Sequence, residues 1–404
     1  MSASAPRGAG ESAPRGVGAT APRRVTLCIL GFGNVARRLC EVLAARERDL
    51  AEHFGLEVVV TAAGTRSHGS LVAPAGLGPA ATLRAAGLEP GDLGSAPATP
   101  AGWGFSEPAR PGAELIAASG ADVLVEATVQ EEGGAATAIA HVEDALARGM
   151  HVLSVNKGPV AWDYRRLADL AAAHGRRLLF EGVTMDGCPV YNLAVRCLPG
   201  TRVLGISGVL NSTTNYLLDA MAEGRAFDEA LAWVQAEGFA EADPSHDIDG
   251  VDAASKTAAL ANVLMDARLT PADVPRESIR AIGAERAAAV RAAGRRLRVV
   301  CAADVVEGAE RLPVLGAPHA AAPGSVAEVA DEPTTPAEPP AVSATVRLVE
   351  VDADHPFFAV GGSMSTVIIR TDLMGEVQVV ERDALLTQTA YALYGDLLSI
   401  YSGA

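Results

Sequence analysis

Positive charge, paired cysteines and long apolar runs are all scarce in this chain of 404 residues. The formal net charge of -16 argues against a broad surface for nucleic acid or for an anionic membrane. Five scattered cysteines without Cys-x-x-Cys spacing argue against a disulfide framework or a zinc site, and they indicate reduced thiols. No apolar run is long enough to span a membrane. We therefore expect a cytoplasmic protein whose ligands are small molecules.

The chain divides into a tail and two folded parts. Residues 1–23 repeat Ala-Pro-Arg and lack the apolar core of a signal peptide, which predicts a disordered tail. Over residues 24–186, short apolar strands alternate with helices through glycine turns, a pattern typical of an α/β, doubly wound parallel sheet. Residues 187–383 change to an α+β pattern that contains a low-complexity loop over 315–342. A C-terminal helix over 384–404 is expected to pack back on the first domain.

The stretch GFGNVA follows the first predicted strand and opens a helix. Glycines permit the tight turn and the close backbone approach that a pyrophosphate needs at a helix N-terminus. A merely structural turn is the alternative, but the strand, the helix and a second strand are all in place. The motif therefore predicts a Rossmann-type dinucleotide site built from Gly31, Phe32, Gly33, Asn34, Val35 and Ala36.

The second predicted strand ends without an acidic residue. A dinucleotide fold that prefers NAD usually places an acid there to bind the ribose 2′-hydroxyl. Here the segment reads AAGTRSHGS, and Arg66 and His68 are the residues that follow the strand. A cationic side chain can bind the 2′-phosphate of NADP, so the segment favours NADP as the cofactor, with NAD as the alternative. The alternative is an arginine on the surface with no ligand.

Six carboxylates precede a lone lysine in EGFAEADPSHDIDGVDAASK, residues 237–256. Asp252 and Lys256 are four residues apart and share one helical face, where the simplest interpretation is a surface ion pair. The alanine-rich surroundings favour burial instead. A calcium loop does not fit, because Ser245 takes the first ligand position and Lys256 the last. The segment predicts a site that holds a cationic ligand and moves a proton.

The segment AEGFAEADPSHDIDGVDAASK resembles the signature of the homoserine dehydrogenase family. GFGNVA, VEATV, SVNKGPVA, FEGVTMDGCPV and GVLNSTTNYLL match other family motifs in the right order. The resemblance covers residues 25–270 densely and the remainder thinly. It implies the reversible reduction of L-aspartate 4-semialdehyde to L-homoserine by NAD(P)H in amino-acid biosynthesis. It also implies a second domain for substrate binding and dimerisation, in a homodimer or homotetramer.

The resemblance assigns roles to residues of the substrate site. Glu241 would hold the substrate ammonium, while Asp252 would bind near the reacting oxygen and orient Lys256. Lys157 would point at the same oxygen, and two close ammonium groups are expected to lower each other's pKa. Thr128 would lie where the substrate meets the nicotinamide. Local caps and turns are expected of Asp243, Asp247 and Asp249.

Further residues are implied for the cofactor and for a cation. Asn156 joins Thr128 and Lys157 at the nicotinamide end of the cofactor. A monovalent-cation site is implied near Glu181, for which capping of a turn is an equal alternative. The residues of that implied site are Glu181, Thr184, Asp186 and Cys188.

Departures from the family pattern keep other functions open. Ser212 replaces a glycine in the loop that resembles Asn-Gly-Thr-x-Asn. Near the C-terminus, side chains replace glycines that usually close the cofactor site, at Glu381, Asp383 and Leu385. Because side chains there obstruct a ligand, this segment is expected to rotate outward. Two alternatives remain: a paralogue that reduces a related amino-acid semialdehyde, and a non-catalytic nucleotide-binding homologue.

Overall fold

A computed structural model describes most of the chain. The described residues are 21–94, 99–131, 133–241, 243–309, 312, 314–315, 338–382 and 384–401. The predicted tail therefore lies outside them up to residue 20, and Arg23 begins the first strand. Most of the predicted low-complexity loop and Asp383 also lie outside the described residues.

Eleven strands and thirteen α-helices form the described part of the chain. The strands are β1 (Arg23–Leu30), β2 (Leu56–Gly64), β3 (Ser70–Leu77), β4 (Val123–Glu126), β5 (His151–Ser154), β6 (Leu178–Leu179), β7 (Val203–Val209), β8 (Arg296–Val305), β9 (Val342–Val351), β10 (Ser365–Thr371) and β11 (Gly375–Glu381). The helices are α1 (Asn34–Ala45), α2 (Glu47–Phe54), α3 (Pro79–Ala85), α4 (Gly112–Ser119), α5 (Ala136–Ala147), α6 (Lys157–Ala173), α7 (Val190–Cys197), α8 (Ser212–Ala222), α9 (Phe227–Ala236), α10 (Ser245–Ile248), α11 (Val251–Leu264), α12 (Ala284–Ala292) and α13 (Leu386–Tyr401).

The first sheet has the strand order β3-β2-β1-β4-β5-β6, and every pairing except β2 with β3 is parallel. Alternate residues of β1 enter two different apolar clusters: Leu27 and Ile29 join one with α1, while Cys28 and Leu30 join the other with α5 and α6. Burial on both faces explains why β1 reads as a continuous apolar run. The predicted Rossmann-type doubly wound sheet is confirmed.

The sequence does not predict one strand of this sheet, β3. Residues 68–112, rich in glycine, alanine and proline, predict only a helix near 80–86, whereas the structure forms β3 as well as α3 in this stretch. β3 is an edge strand that pairs antiparallel with β2, and most of its residues are half-buried or exposed. Its sequence SLVAPAGL contains proline and glycine, which an edge strand tolerates and which hide the apolar periodicity.

The second sheet has the order β11-β10-β7-β8-β9 and is antiparallel throughout. The alanine-rich helix α11 packs against β8 and β9 of this sheet and also against α6 of the first domain. All residues of α11 from Ala253 to Leu264 are buried except Lys256. Small side chains allow this close approach on every side of the helix. The predicted second α+β domain is confirmed.

The C-terminal helix α13 lies on the first domain. Ala390, Leu393 and Leu397 are buried in the same apolar cluster as α1 and the outer face of β1. The segment between β11 and α13 therefore crosses from the second sheet to the nucleotide-binding sheet. Among the described residues, no helix has the length and apolar character of a membrane span.

Candidate active site

A cavity of about 560 Å³ lies where the two domains meet. The first domain contributes the residues that follow β4 and β5, together with Val35 at the start of α1. The second domain contributes the loop before α8, the acid-rich segment and the face of α11 that carries Asp252 and Lys256. Carboxyl ends of parallel strands are the usual place for ligands in such sheets, so the cavity has the position of an active site.

The GFGNVA segment forms the predicted turn. Gly31 has φ +85°, and a Cβ there would lie 2.2 Å from the carbonyl oxygen of Ala127, so only glycine fits. Gly33 is the N-cap of α1, and within the described residues no side-chain hydrogen bond caps this helix. Uncapped amides at a helix N-terminus suit the pyrophosphate of a dinucleotide. The residues present therefore fit a nicotinamide cofactor.

Asp252 is the centre of the polar network in the cavity. Its Oδ1 lies 3.1 Å from Lys157 Nζ, and its Oδ2 lies 3.0 Å from Lys256 Nζ. Asn211 Nδ2 also donates to Oδ2, at 3.1 Å. Burial alone would raise the pKa of Asp252, but the two ammonium groups and these hydrogen bonds hold it well below its usual range. The predicted catalytic residues therefore meet on one ionised carboxylate.

Lys256 is charged in this network. Its Nζ also donates to the carbonyl oxygen of Leu210, at 2.7 Å. Burial would lower its pKa, but Asp252 and Asp186 outweigh that effect and raise the pKa above its ordinary value. The expectation that the two lysines lower each other's pKa is thus wrong for Lys256, because the carboxylates around it dominate.

The whole chain contains only two lysines, Lys157 and Lys256. All its other basic side chains, apart from histidines, are arginines. The structure brings both lysines to Asp252, although one begins α6 in the first domain and the other lies on α11 in the second. The scarcity of lysine in the sequence could therefore have identified both residues as members of one site.

Thr128 and Asn156 occupy the ends of neighbouring strands, as predicted for the cofactor side. Asn156 Nδ2 donates to Thr128 Oγ1 at 3.1 Å, and its Oδ1 caps α6. Behind them lie two residues that sequence interpretation missed. Glu126 is fully buried and accepts hydrogen bonds from Thr128, and its second oxygen lies 2.8 Å from Nδ1 of His141. A carboxylate inside the apolar strand VLVE is the sequence signal that could have identified Glu126.

The acid-rich segment serves several purposes. Glu241 is exposed and lines the cavity, so it is placed to meet a ligand. Asp243 accepts from Ser245, and Asp249 pairs with Arg280, both outside the cavity lining, which agrees with local roles. Asp247 differs from the expectation: it lines the cavity and accepts from Asn211 Nδ2 at 2.7 Å.

The loop in which Ser212 replaces a glycine keeps a regular structure. Asn211 Oδ1 accepts the backbone amide of Thr214 at 2.9 Å and so caps α8. The same side chain donates to Asp247 and Asp252, which ties the loop to the catalytic network. Ser212 lines the cavity. The substitution therefore leaves Asn211 able to cap the helix.

Glu181 is buried and already hydrogen-bonded. Its carboxylate accepts the backbone amides of Tyr191 at 2.8 Å and Asn192 at 2.9 Å, at the start of α7. Asp396 of α13 accepts the backbone amide of Glu181, and burial together with the charge of Glu181 raises the pKa of Asp396 to about 8. Thr184 and Asp186 line the cavity, and Cys188 is half-buried. The monovalent-cation site stays a prediction.

The segment after β11 does not rotate outward as a whole. The side chain of Glu381 is 8% exposed, and the backbone amide of Gly187 hydrogen-bonds to it. Ala384 and Thr389 line the cavity. Of Glu381 and Leu385, the two of these three positions that the structure describes, only Leu385 follows the expectation, with 61% exposure. The expectation is therefore wrong for Glu381, because β11 continues through this residue and pairs it with Ser365.

Two arginines lie near the start of α1 and the end of β2. Arg66 is exposed in the turn after β2, as its place in the sequence predicts. Arg37, which sequence interpretation missed, is 2% exposed and stacks on the ring of Trp103 at 4.7 Å. His68 stacks on the same indole at 4.3 Å. Arg66 is thus the more accessible of the two arginines to a ligand.

Replacing Asp252 with Asn should lower the pKa of Lys256, since its negative partner is lost, and it also removes the ion-pair partner of Lys157. A fall of about one unit would raise the neutral amine fraction, and hence the rate of acylation, about tenfold. Pulse acetylation read by mass spectrometry measures this directly, because the chain has no other lysine. Asp249→Asn is the matched control. Equal acetylation rates of Lys256 in the parent and in Asp252→Asn would show that Asp252 does not govern the charge of Lys256.

Comparisons with known proteins agree with the Rossmann-type fold and with the family resemblance. Residues 31–181 match the model of the homoserine dehydrogenase NAD binding domain, and residues 189–398 match that of homoserine dehydrogenase. The NAD(+)-dependent homoserine dehydrogenase of Pseudomonas canavaninivorans is 31% identical over 380 residues, which cover 94% of this chain and 96% of that protein.

Solved structures show the same fold. A homoserine dehydrogenase from Thiobacillus denitrificans has a TM-score of 0.71 at 23% identity, over 94% of this chain and 74% of that one. A hyperthermophilic archaeal homoserine dehydrogenase in complex with NADPH has a TM-score of 0.66 at 23% identity, over 93% and 97% of the two chains. The fold, the site and the matched family models lead to one conclusion: the chain belongs to the homoserine dehydrogenase family of NAD(P)-dependent oxidoreductases, which act on a CH–OH group.

Proposed function

We propose that the protein catalyses the reversible reduction of L-aspartate 4-semialdehyde to L-homoserine with NAD(P)H. The observation that carries this proposal is the pair of lysines held by Asp252 in the cavity beside the nucleotide-binding edge. A carbonyl compound needs a proton donor at its oxygen when its carbon accepts a hydride. A zwitterionic substrate also needs charges of both signs, which this cavity offers.

Substrate binding uses the charged residues of the cavity wall. Glu241 is exposed at the cavity and complements the substrate ammonium. Lys157 and Asp252 hold the oxygen end, and Thr128 lies on the cofactor side of the same cavity. This arrangement places the positive charge of the substrate against a negative charge of the protein.

Proton transfer is assigned to Lys256. Bound NAD(P)H supplies the hydride. Lys256 donates a proton to the carbonyl oxygen, and Asp252 and the Leu210 carbonyl hold its ammonium in place. Although the carboxylates raise the pKa of Lys256, an alkoxide is far more basic than an amine, so the proton moves to the oxygen. In the reverse direction the neutral amine accepts the proton, so oxidation gains rate as the pH rises.

The cofactor choice depends on Arg66 in this proposal. NADP is favoured by an exposed guanidinium after β2 and by the lack of an acid in that turn. Assembly into a homodimer or homotetramer and a cation near Glu181 belong to the same proposal.

The proposal is tested by NAD(P)H oxidation with L-aspartate 4-semialdehyde and related aldehydes. Lys256→Ala should lower turnover by about two to four orders of magnitude, the contribution usual for a positioned acid. Cofactor binding and thermal unfolding of the variant provide the control for folding. Turnover within severalfold of the parent would remove Lys256 from proton transfer. Faster reduction of another amino-acid semialdehyde would favour the paralogue, and cofactor binding without any turnover would favour the non-catalytic homologue.

Glu241→Gln should raise the KM for L-aspartate 4-semialdehyde about ten- to hundredfold, since a charge-assisted hydrogen bond contributes about 1.5–3 kcal/mol. The KM for the nicotinamide cofactor should stay nearly constant. Glu237→Gln, a change to another exposed glutamate of the same segment, is the matched control. Equal increases for substrate and cofactor would indicate general damage and contradict the assignment of Glu241.

Arg66→Ala should weaken NADPH about ten- to hundredfold and leave NADH nearly unchanged, because only NADPH carries the 2′-phosphate. Dissociation constants from cofactor fluorescence measure both. Arg84→Ala, at an exposed arginine of α3 whose side chain is 58% exposed, is the control for loss of general positive charge. An unchanged ratio of the two constants in Arg66→Ala would exclude Arg66 from the cofactor site.

A further inference from the structure

Asp186 and Glu381 are two carboxylates to which the proposed substrate binding and proton transfer assign no role. Asp186 lines the cavity, and its Oδ1 accepts a hydrogen bond from Thr389 at 2.6 Å. Glu381 is 92% buried, its exposed fraction being 8%, and its Oε2 has no hydrogen-bond partner within the described residues. The electrostatic field of Glu381 reaches both Asp186 and Lys256. A buried carboxylate oxygen without a partner is costly, so a cationic guest nearby would stabilise it.

The charges of the cavity are unbalanced. Two ammonium groups face the carboxylates of Asp186, Glu241, Asp247 and Asp252, and Glu381 adds a fifth carboxylate behind the wall. A zwitterionic substrate adds one charge of each sign and therefore leaves the excess of negative charge unchanged. The excess negative charge favours binding of a further cationic group in or beside the cavity.

Asp186 and Glu381 both lie near Lys256, since the charge of each interacts with its ammonium group. Asp186 belongs to the loop after β6 and bonds to Thr389, next to Gly182 and Thr184 in the cavity wall. Glu241, which is assigned to the substrate ammonium, comes from the acid-rich segment, which is far from Asp186 in the sequence. Hydride transfer requires the nicotinamide ring against the carbon whose oxygen faces Lys256. A ring in that position would come within the field of both carboxylates, because both act on Lys256.

We propose that Asp186 and Glu381 stabilise the oxidised, positively charged form of the nicotinamide cofactor relative to the reduced, neutral form. This inference rests on the proposed function. When the alcohol is oxidised, its C–H hydride passes to the ring, its O–H proton passes to Lys256, and the ring loses its positive charge. The two carboxylates therefore favour binding of the oxidised cofactor, and they favour the enzyme complex that precedes oxidation of the alcohol.

The test compares Asp186→Asn, Glu381→Gln and the double variant. Both changes remove charge and keep shape. Asn also tolerates the left-handed backbone at residue 186, where φ is +40°, and accepts the bond from Thr389. Asp243→Asn, at an exposed carboxylate outside the cavity lining, is the control for a general change in charge. Because burial beside Asp186 raises the pKa of Glu381 to about 7, binding is measured at about pH 8.5, where this carboxylate is charged.

Dissociation constants are measured for the reduced cofactor by fluorescence and for the oxidised cofactor by competition. The double variant should bind the oxidised cofactor about tenfold more weakly, with the reduced cofactor changed less than about twofold, as expected for the loss of screened charges several ångströms away. Asp243→Asn should change neither. Each single variant should weaken the binding of the oxidised cofactor less than the double variant does.

Two results would overturn the inference while the proposed function stands. The first is an unchanged ratio of oxidised to reduced affinity in the double variant. The second is a loss of homoserine affinity without a change in that ratio, which would assign these carboxylates to the substrate ammonium. A parent protein that binds neither cofactor form would instead overturn the proposed function and this inference with it.

Discussion

The carboxylate of Asp252, shared between two ammonium groups, is the interaction on which the site depends. Lys157 comes from the first helix turn after β5, and Lys256 lies one turn along α11 from Asp252. A lone buried ammonium would be expensive, and two of them near each other would be more so. Asp252 keeps Lys256 charged, and its ion pair with Lys157 joins the two domains at the cavity.

This arrangement requires α6 and α11 to lie side by side. Small residues on α11 allow close packing against α6 and against β8 and β9. The same close packing limits access to the lysines, so the cavity stays partly shielded from water. Shielding strengthens the electrostatic interactions on which both the proton transfer and the preference for a charged cofactor would depend.

Several parts of this design were predictable from local sequence. GFGNVA between a strand and a helix specified the phosphate turn, because only glycine tolerates the backbone of Gly31 so close to Ala127. The spacing of Asp252 and Lys256 predicted their ion pair, since residues four apart share a helical face. β3 was missed because an edge strand needs no continuous apolar pattern. Glu126 was missed because its contact with His141 depends on the packing of α5 against β4.

Sequence alone determined the fold class, the phosphate turn and the family, because these depend on short-range periodicity and on motif spacing. Tertiary structure decided everything that depends on distances between separate segments. It brought Lys157 to Asp252, buried Glu381 beside the site, and set the direction of the pKa shift of Lys256. The physical reason is that electrostatic interactions depend on three-dimensional distance and burial. A sequence lists the charges, whereas only the packed chain determines which of them face each other without water between them.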